Sequence, residues 1–206
     1  MIMQQNTSPD IPSLQNSINC NAIPLFPTMV LRYEVPEYEQ LLPIVDKLRN
    51  QDPNGRKASN MGGWHSPHQY IPDVIHKYIP WKDWDGVCWY MVNGYMQGNY
   101  SHTHPTNDWS GVLWLQVPEP DPAKLEFEHP DCHSQYNAIT AFNHLSPELQ
   151  QTYNYYKQIN FDPVPGVMLM FPSSLRHRVH FSLNEEERIA MSFNISLPVR
   201  QEIPLS

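Results

Sequence analysis

Two histidines one residue apart, in Asn99-Tyr100-Ser101-His102-Thr103-His104-Pro105, are side chains that could share a metal ion. Side chains alternate along extended backbone, so positions i and i+2 face the same way and one strand would aim both imidazoles at a single ion. A third ligand has to come from elsewhere, and Phe171-Pro172-Ser173-Ser174-Leu175-Arg176-His177-Arg178-Val179-His180 carries two candidates. His177 and His180 are three apart, so on a strand they face opposite sides and only one joins easily. The alternating segment Arg188-Ile189-Ala190-Met191-Ser192-Phe193-Asn194-Ile195 adds a cation. Arg188, Ala190, Ser192 and Asn194 share one face, and if that face lines an interior, its small and polar residues around one arginine form a cavity for an anion. A guanidinium grips a carboxylate through two parallel hydrogen bonds, so an inward Arg188 beside a metal suits a dicarboxylate co-substrate. The competing reading puts Arg188 at the surface, paired with Glu185, Glu186 or Glu187, and treats His102 and His104 as ordinary members of a set of ten histidines.

The bulk composition narrows the setting. A chain of 206 residues fits one domain and can bury a core without disulfides. Its 21 prolines favour turns and strand ends over long helices. Thirteen basic against 21 acidic residues, a formal charge of -8, disfavours nucleic acid as the main partner, because phosphate binding draws on clustered Lys and Arg. The three cysteines, Cys20, Cys88 and Cys132, show no CxxC spacing, which speaks against a disulfide scaffold or a thiolate metal site and for a reducing cytoplasm. No segment reaches the roughly 20 apolar residues of a membrane span, and the N-terminus lacks a secretory pattern, so a soluble, unsecreted protein is expected.

The elements that must position these groups follow from periodicity and punctuation. Residues 1–21, rich in Gln, Asn, Ser and Pro, read as a loosely ordered arm, and residues 22–206 as a single domain. Ile23 to Leu31 reads as a proline-punctuated strand at a sheet rim. Residues 36–51 carry apolar side chains at helical spacing, with Pro43 expected to kink or restart the helix. Ser59 to Ser66 is a glycine-containing loop, followed by a short helix over 73–78. Strands are expected at 87–92, 99–104, 111–117, 124–128, 166–171, 176–182 and 188–197, and a helix from Ser146 to about Ile159 with Ser as N-cap and Pro147 in its first turn. So many short strands point to a sandwich or barrel.

Taken together, Ser59-Asn60-x-Gly62-Gly63-Trp64-x-Ser66, Asn99-x-x-His102-x-His104-Pro105, Ser110-Gly111-Val112, Phe171-Pro172-Ser173-x-Leu175-x-His177-x-Val179 and Arg188-Ile189-x-x-Ser192-Phe193-Asn194 resemble the 2-oxoglutarate- and Fe(II)-dependent oxygenases of marine bacteria and cyanophages. The resemblance spans about residues 23–197. It implies a mainly β fold, a double-stranded β-helix (a cupin-like jelly roll) with flanking α-helices, and two cofactors, Fe(II) and 2-oxoglutarate. It implies metal ligation by His102 with its strand partner and by His177, and capture of the distal carboxylate of 2-oxoglutarate by Arg188. Related prolyl hydroxylases carry an acidic residue where His104 stands. Either His104 completes a three-histidine set, or Asp108, Glu126 or Glu128 supplies a carboxylate; the first is favoured because one strand already presents His104 beside His102. Relatives that pair the arginine with a serine two residues later have Ala190 at that place here, which leaves Ser192 as the candidate second contact.

The implied reaction hydroxylates a small molecule or an amino-acid side chain while 2-oxoglutarate loses carbon dioxide to become succinate. Trp64 and Trp109 are candidate walls for that substrate. His65, His68, His129, His133 and His144 fall in expected loops, as solvated or capping residues. Two rival classes share the same residues: a non-catalytic jelly roll that binds a ligand or a protein, and a metal-dependent hydrolase. Oxygen-dependent turnover of the oxoacid separates all three. The expected compartment is the cytoplasm, the host's if the chain is phage-encoded, and the oligomeric state is left open.

Overall fold

The computed structural model describes residues 28–120, 122–130 and 158–198. Two antiparallel sheets face one another. The larger is ordered β1 (Leu31–Glu34), β9 (Val167–Pro172), β6 (Trp109–Gln116), β11 (Arg188–Ser196), β4 (Asp85–Asn93) and β3 (Trp64–His65). The smaller is ordered β2 (Asn60–Met61), β5 (Gly98–His102), β10 (His177–Val179), β7 (Leu125–Glu128) and β8 (Gln158–Phe161). Strand order departs from chain order throughout, and the two sheets form the jelly roll expected above. These elements all belong to the unit formed by Met29–Pro130 and Gln158–Ser206.

Alternation along the strands divides the buried residues into two layers. Leu113, Met168, Met170, Met191, Phe193 and Ile195 leave the larger sheet on its outer side and pack with Leu41, Val45 and Ile75 of the helical segments. Val112, Trp114, Leu169, Phe171 and Ala190 leave it on the inner side and meet Leu125 and Phe127 of the smaller sheet. The helices therefore flank one sheet, while the space between the sheets is left for the site. Burial of this inner and outer apolar surface, at roughly 25 cal/mol per Å², is the main force that fixes the sandwich.

Helix α1 (Leu42–Gln51) follows a 3₁₀ turn over Tyr38–Leu41 and has Pro43 in its first turn. Proline lacks the N–H that a first turn leaves unpaired anyway, so it restarts the helix rather than breaking it. Helix α2 is a single turn, Asp73–His76. The expected rim strand is displaced: it is β1, Leu31–Glu34, at the edge of the larger sheet, and residues 23–27 lie outside the described residues. So do the arm and the Ser146 helix, apart from Gln158 and Ile159, which are strand because they pair with Glu128 and Phe127 of β7. The loop over 59–66 carries two short strands on either side of Gly62-Gly63, whose φ angles of 69° and 68° are readily adopted only by glycine. Among the described residues no helix is long and apolar enough to cross a membrane.

Gly111 on β6 leaves room that a side chain of β11 fills. It lies opposite Phe193 of β11, and a Cβ there would stand 2.1 Å from the nearest atom of the Phe193 ring. Gly111→Ala is expected to lower the unfolding free energy by about 1–3 kcal/mol through overpacking, read from urea denaturation. Adding Phe193→Leu should recover part of that loss, and strict additivity of the two changes would contradict this account.

Candidate metal centre

The two ends of the site come from neighbouring strands. His177, the first residue of β10, lies opposite His102, the last residue of β5, and their ring centroids are 4.4 Å apart. Val179 lies opposite Asn99, so two residues of β10 span three of β5 and the register slips by one. The slip leaves Tyr100 and Ser101 consecutively exposed while Asn99 and His102 both turn to the interior, despite a spacing that regular alternation would split. His104 arrives differently. β5 ends at His102, so His104 is not on the strand; its backbone N–H donates to the Ser173 carbonyl at 2.8 Å, which ties the turn after β5 to the turn before β10.

One ligand atom from each of His102, His104 and His177 lies within 4.8 Å of the others. Two of the rings have their tautomer set by their own strands. His102 donates from Nδ1 to the Tyr100 carbonyl at 2.7 Å, and His177 from Nδ1 to the Leu175 carbonyl at 2.8 Å, so Nε2 of each keeps its lone pair for a metal. Burial, reinforced by the neighbouring imidazoles, pushes His104 down to about 4 and His177 to about 3. His102 is lowered as well, chiefly by burial. All three are neutral near pH 7, the protonation state a metal requires.

Arg188 opens β11 and faces the same cavity, only 4% exposed. Its Nε and Nη1 have no hydrogen-bond partner among the described residues. Burial draws its pKa down to about 10, which still leaves it charged. A buried charge without a partner is strongly unfavourable, so the site is built for an anion that would arrive from outside. The surface alternative for Arg188 fails because Glu187 is held by Arg49 through two bonds of 2.8 and 2.9 Å. The cavity opens to solvent and is lined by Trp89, Val112, Leu125 and Phe171 beside the three histidines and Arg188. A three-nitrogen donor set beside an orphaned guanidinium fits a divalent metal with a chelating dicarboxylate.

The acidic alternatives are engaged elsewhere. Glu126 is fully buried but bonds Arg178 at 2.7 and 3.0 Å and His180 at 3.0 Å. Asp108 caps the Leu197 N–H at 2.7 Å, and Glu128 accepts from the Ser101 hydroxyl at 2.5 Å. Among the described residues no carboxylate joins the histidine group. Ser192 lines the pocket, with Met91 Sδ as its contact at 4.0 Å. Trp64 and Trp109 do not line it: Trp64 packs in the outer core and donates to the Asp52 carbonyl at 2.7 Å, and Trp109 packs against Trp81 with the rings tilted by 42°. Trp89 takes that place, opposite Ser192 in the β4–β11 pairing. No sequence signal marks it, because β4 is buried on both faces. His65 is not solvated either; it is buried and stacks on Trp89. His133 and His144 lie outside the described residues.

Comparison with known proteins follows the same lines. A family model described as "Putative 2OG-Fe(II) oxygenase" matches residues 87–194. No curated protein matches the chain in sequence. The fold is similar to a prolyl-4-hydroxylase from Pseudomonas putida (TM-score 0.52, 13% identity, covering 83% of this chain and 94% of that one). It is similar also to a viral collagen prolyl hydroxylase of Paramecium Bursaria Chlorella virus-1 (TM-score 0.51, 11% identity, 81% and 94%). A third similar structure is HygX from Streptomyces hygroscopicus, solved with nickel and 2-oxoglutarate bound (TM-score 0.56, 8% identity, 84% of each chain).

The buried histidines make a prediction about acid. They are neutral when folded, whereas in the unfolded chain they take up protons near pH 6.5. The unfolded state then binds more protons, so stability is full above about pH 6.5 and falls as pH drops toward 4 and below. Urea midpoints of the metal-free protein should decline across that window, and His177→Phe should flatten the decline. An unchanged slope in that variant would remove His177 as its source.

Proposed function

The chain belongs to the 2OG-Fe(II) oxygenase family, and from that premise we propose that His102, His104 and His177 hold the iron while Arg188 holds the far carboxylate of 2-oxoglutarate. The observation that carries this assignment is the shared cavity: three imidazoles converge beside a buried guanidinium whose Nε and Nη1 have no hydrogen-bond partner among the described residues. The enzyme is an oxygenase, and its substrate is a small molecule or an amino-acid residue.

Fe(II) and 2-oxoglutarate supply the oxidising chemistry when bound, coupling decarboxylation of the oxoacid to hydroxylation. The chain's own residues bind, orient and exclude water. His102, His104 and His177 would hold the ion through neutral imidazole nitrogens, the protonation state that ligation requires. Arg188 fixes the oxoacid at its far end through paired N–H donors, and Ser192 is the second polar side chain of β11 on that face. Val112, Leu125 and Phe171 wall the cavity with hydrocarbon, which strengthens the guanidinium–carboxylate attraction by keeping water out. No separate acid or base is needed from the protein. Trp89, beside His104 at a centroid distance of 5.8 Å, lines the cavity and forms the substrate wall. A reducing cytoplasm suits a chain whose described cysteine, Cys88, is a buried free thiol.

Anaerobic addition of Fe(II) and 2-oxoglutarate to the protein should give a visible metal-to-ligand absorption band that is absent from His177→Ala. Silence in the wild type would overturn the assignment. Arg188→Met separates binding from folding. It removes a buried unpaired charge, so the metal-free variant should be as stable as the wild type or more so. Its binding of 2-oxoglutarate should weaken by about 2–5 kcal/mol, read from titration of the same band.

A further inference from the structure

Behind the metal centre, three buried polar side chains run in line to His104. Ser173 and Ser110 meet through their hydroxyls at 2.7 Å, Ser110 Oγ donates to Asn194 Oδ1 at 2.8 Å, and Asn194 Nδ2 faces His104 Nδ1 at 3.4 Å. The three are 0%, 2% and 8% exposed. Ser110 and Asn194 are cross-strand partners on β6 and β11, and the Ser173 carbonyl receives the His104 N–H, so the line closes on the residue it serves.

His104 needs such a support more than its two companions do. His102 and His177 each donate Nδ1–H to a carbonyl two residues back, which leaves Nε2 free. For His104 the contact at Nδ1 is instead the Asn194 amide. In the direction described, the amide donates, Nδ1 accepts, and the hydrogen of the neutral ring sits on Nε2. A metal on Nε2 requires the other tautomer. The chain can supply it in place: a half-turn of the asparagine amide and rotation of two hydroxyls reverse every bond. His104 Nδ1–H then donates to Asn194 Oδ1, Asn194 Nδ2 donates to Ser110 Oγ, and Ser110 donates to Ser173 Oγ. The number of hydrogen bonds along the line is the same in both directions, and the one proton that changes acceptor is that of the Ser173 hydroxyl at the far end, which no longer points to Ser110.

We propose that Asn194 is the positioning residue of His104, and that reversal of the Ser173–Ser110–Asn194 line selects the tautomer that offers Nε2 to the metal. This rests on His104 being a ligand. Asparagine is suited to the task because it both donates and accepts, so one side chain serves the metal-free and the metal-bound ring. An aspartate would only accept, and would hold the metal-binding tautomer permanently.

The test uses Co(II) alone, titrated anaerobically into the full chain, with the visible ligand-field band and the thermal melt of the metal-free protein as readouts. Asn194→Leu should weaken Co(II) binding by about 10–100-fold and shift the band toward that of His104→Ala. Asn194→Asp should restore wild-type affinity and band, and Ser110→Ala should fall between. Wild-type affinity and band in a folded Asn194→Leu would overturn the proposal, as would an Asn194→Asp as weak as Asn194→Leu. If melting shows Asn194→Leu to be unfolded, Ser110→Ala decides, and unchanged binding there overturns the proposal. A wild-type chain without a band, or a band insensitive to His104→Ala, fails earlier: it removes His104 as a ligand and the role of Asn194 with it.

Discussion

Everything at this site depends on one antiparallel register, His177 opposite His102. Backbone hydrogen bonds between β5 and β10 bring together two residues distant in sequence and hold their rings at contact distance. The extra residue in β5 makes this possible for Asn99 and His102 together. A slip of one position would turn a strand's whole set of side chains to the opposite face, and the three-histidine group would lose one of its imidazoles. The pairing on the far side of β10 resists that slip. Arg178 and His180 close on the buried Glu126 of β7, a charge cluster that would be broken by any other alignment.

A second constraint works against stability. Arg188 is buried with its Nε and Nη1 unpaired among the described residues, and the chain tolerates it because β11 is held by ladders on both sides, to β4 and to β6. The alternate residues of β11 carry the compensation: Ile189, Met191, Phe193 and Ile195 pack in the outer core, while Arg188, Ala190 and Ser192 face the cavity. One strand thus divides its two faces between folding and chemistry. The same division explains the glycine at 111, which makes room for Phe193 on the packing face directly behind the site.

How far the chain could be read without coordinates follows from which interactions are local. The alternation of β11 is local, so the grouping of Arg188, Ala190 and Ser192 on one face is legible from Arg188 to Ile195, whereas which face turns inward is decided by the pairing of β11 with β4 and β6. The odd spacing of His177 and His180 is local too: His177 lies with His102 and His104, and His180 pairs with Glu126. The position of His104 beyond the end of β5 is not legible, because a contact with Ser173, far along the chain, decides it. Nor is the choice between histidine and carboxylate, since Glu126 is occupied by Arg178 and His180 from the next strand. Trp89 is hidden because β4 is apolar on both sides, and β8 because only its pairing with β7 makes Gln158–Phe161 extended.

The Gly62-Gly63 turn joins β2, which belongs to one sheet, to β3, which belongs to the other. A Cβ on Gly63 would stand 2.5 Å from Asn93 Oδ1, the residue opposite Arg188. The two walls are therefore stapled by a covalent link two residues long, next to the guanidinium. The length of that link puts a ceiling on how far the two walls can part at this corner, whatever the opposite rim does.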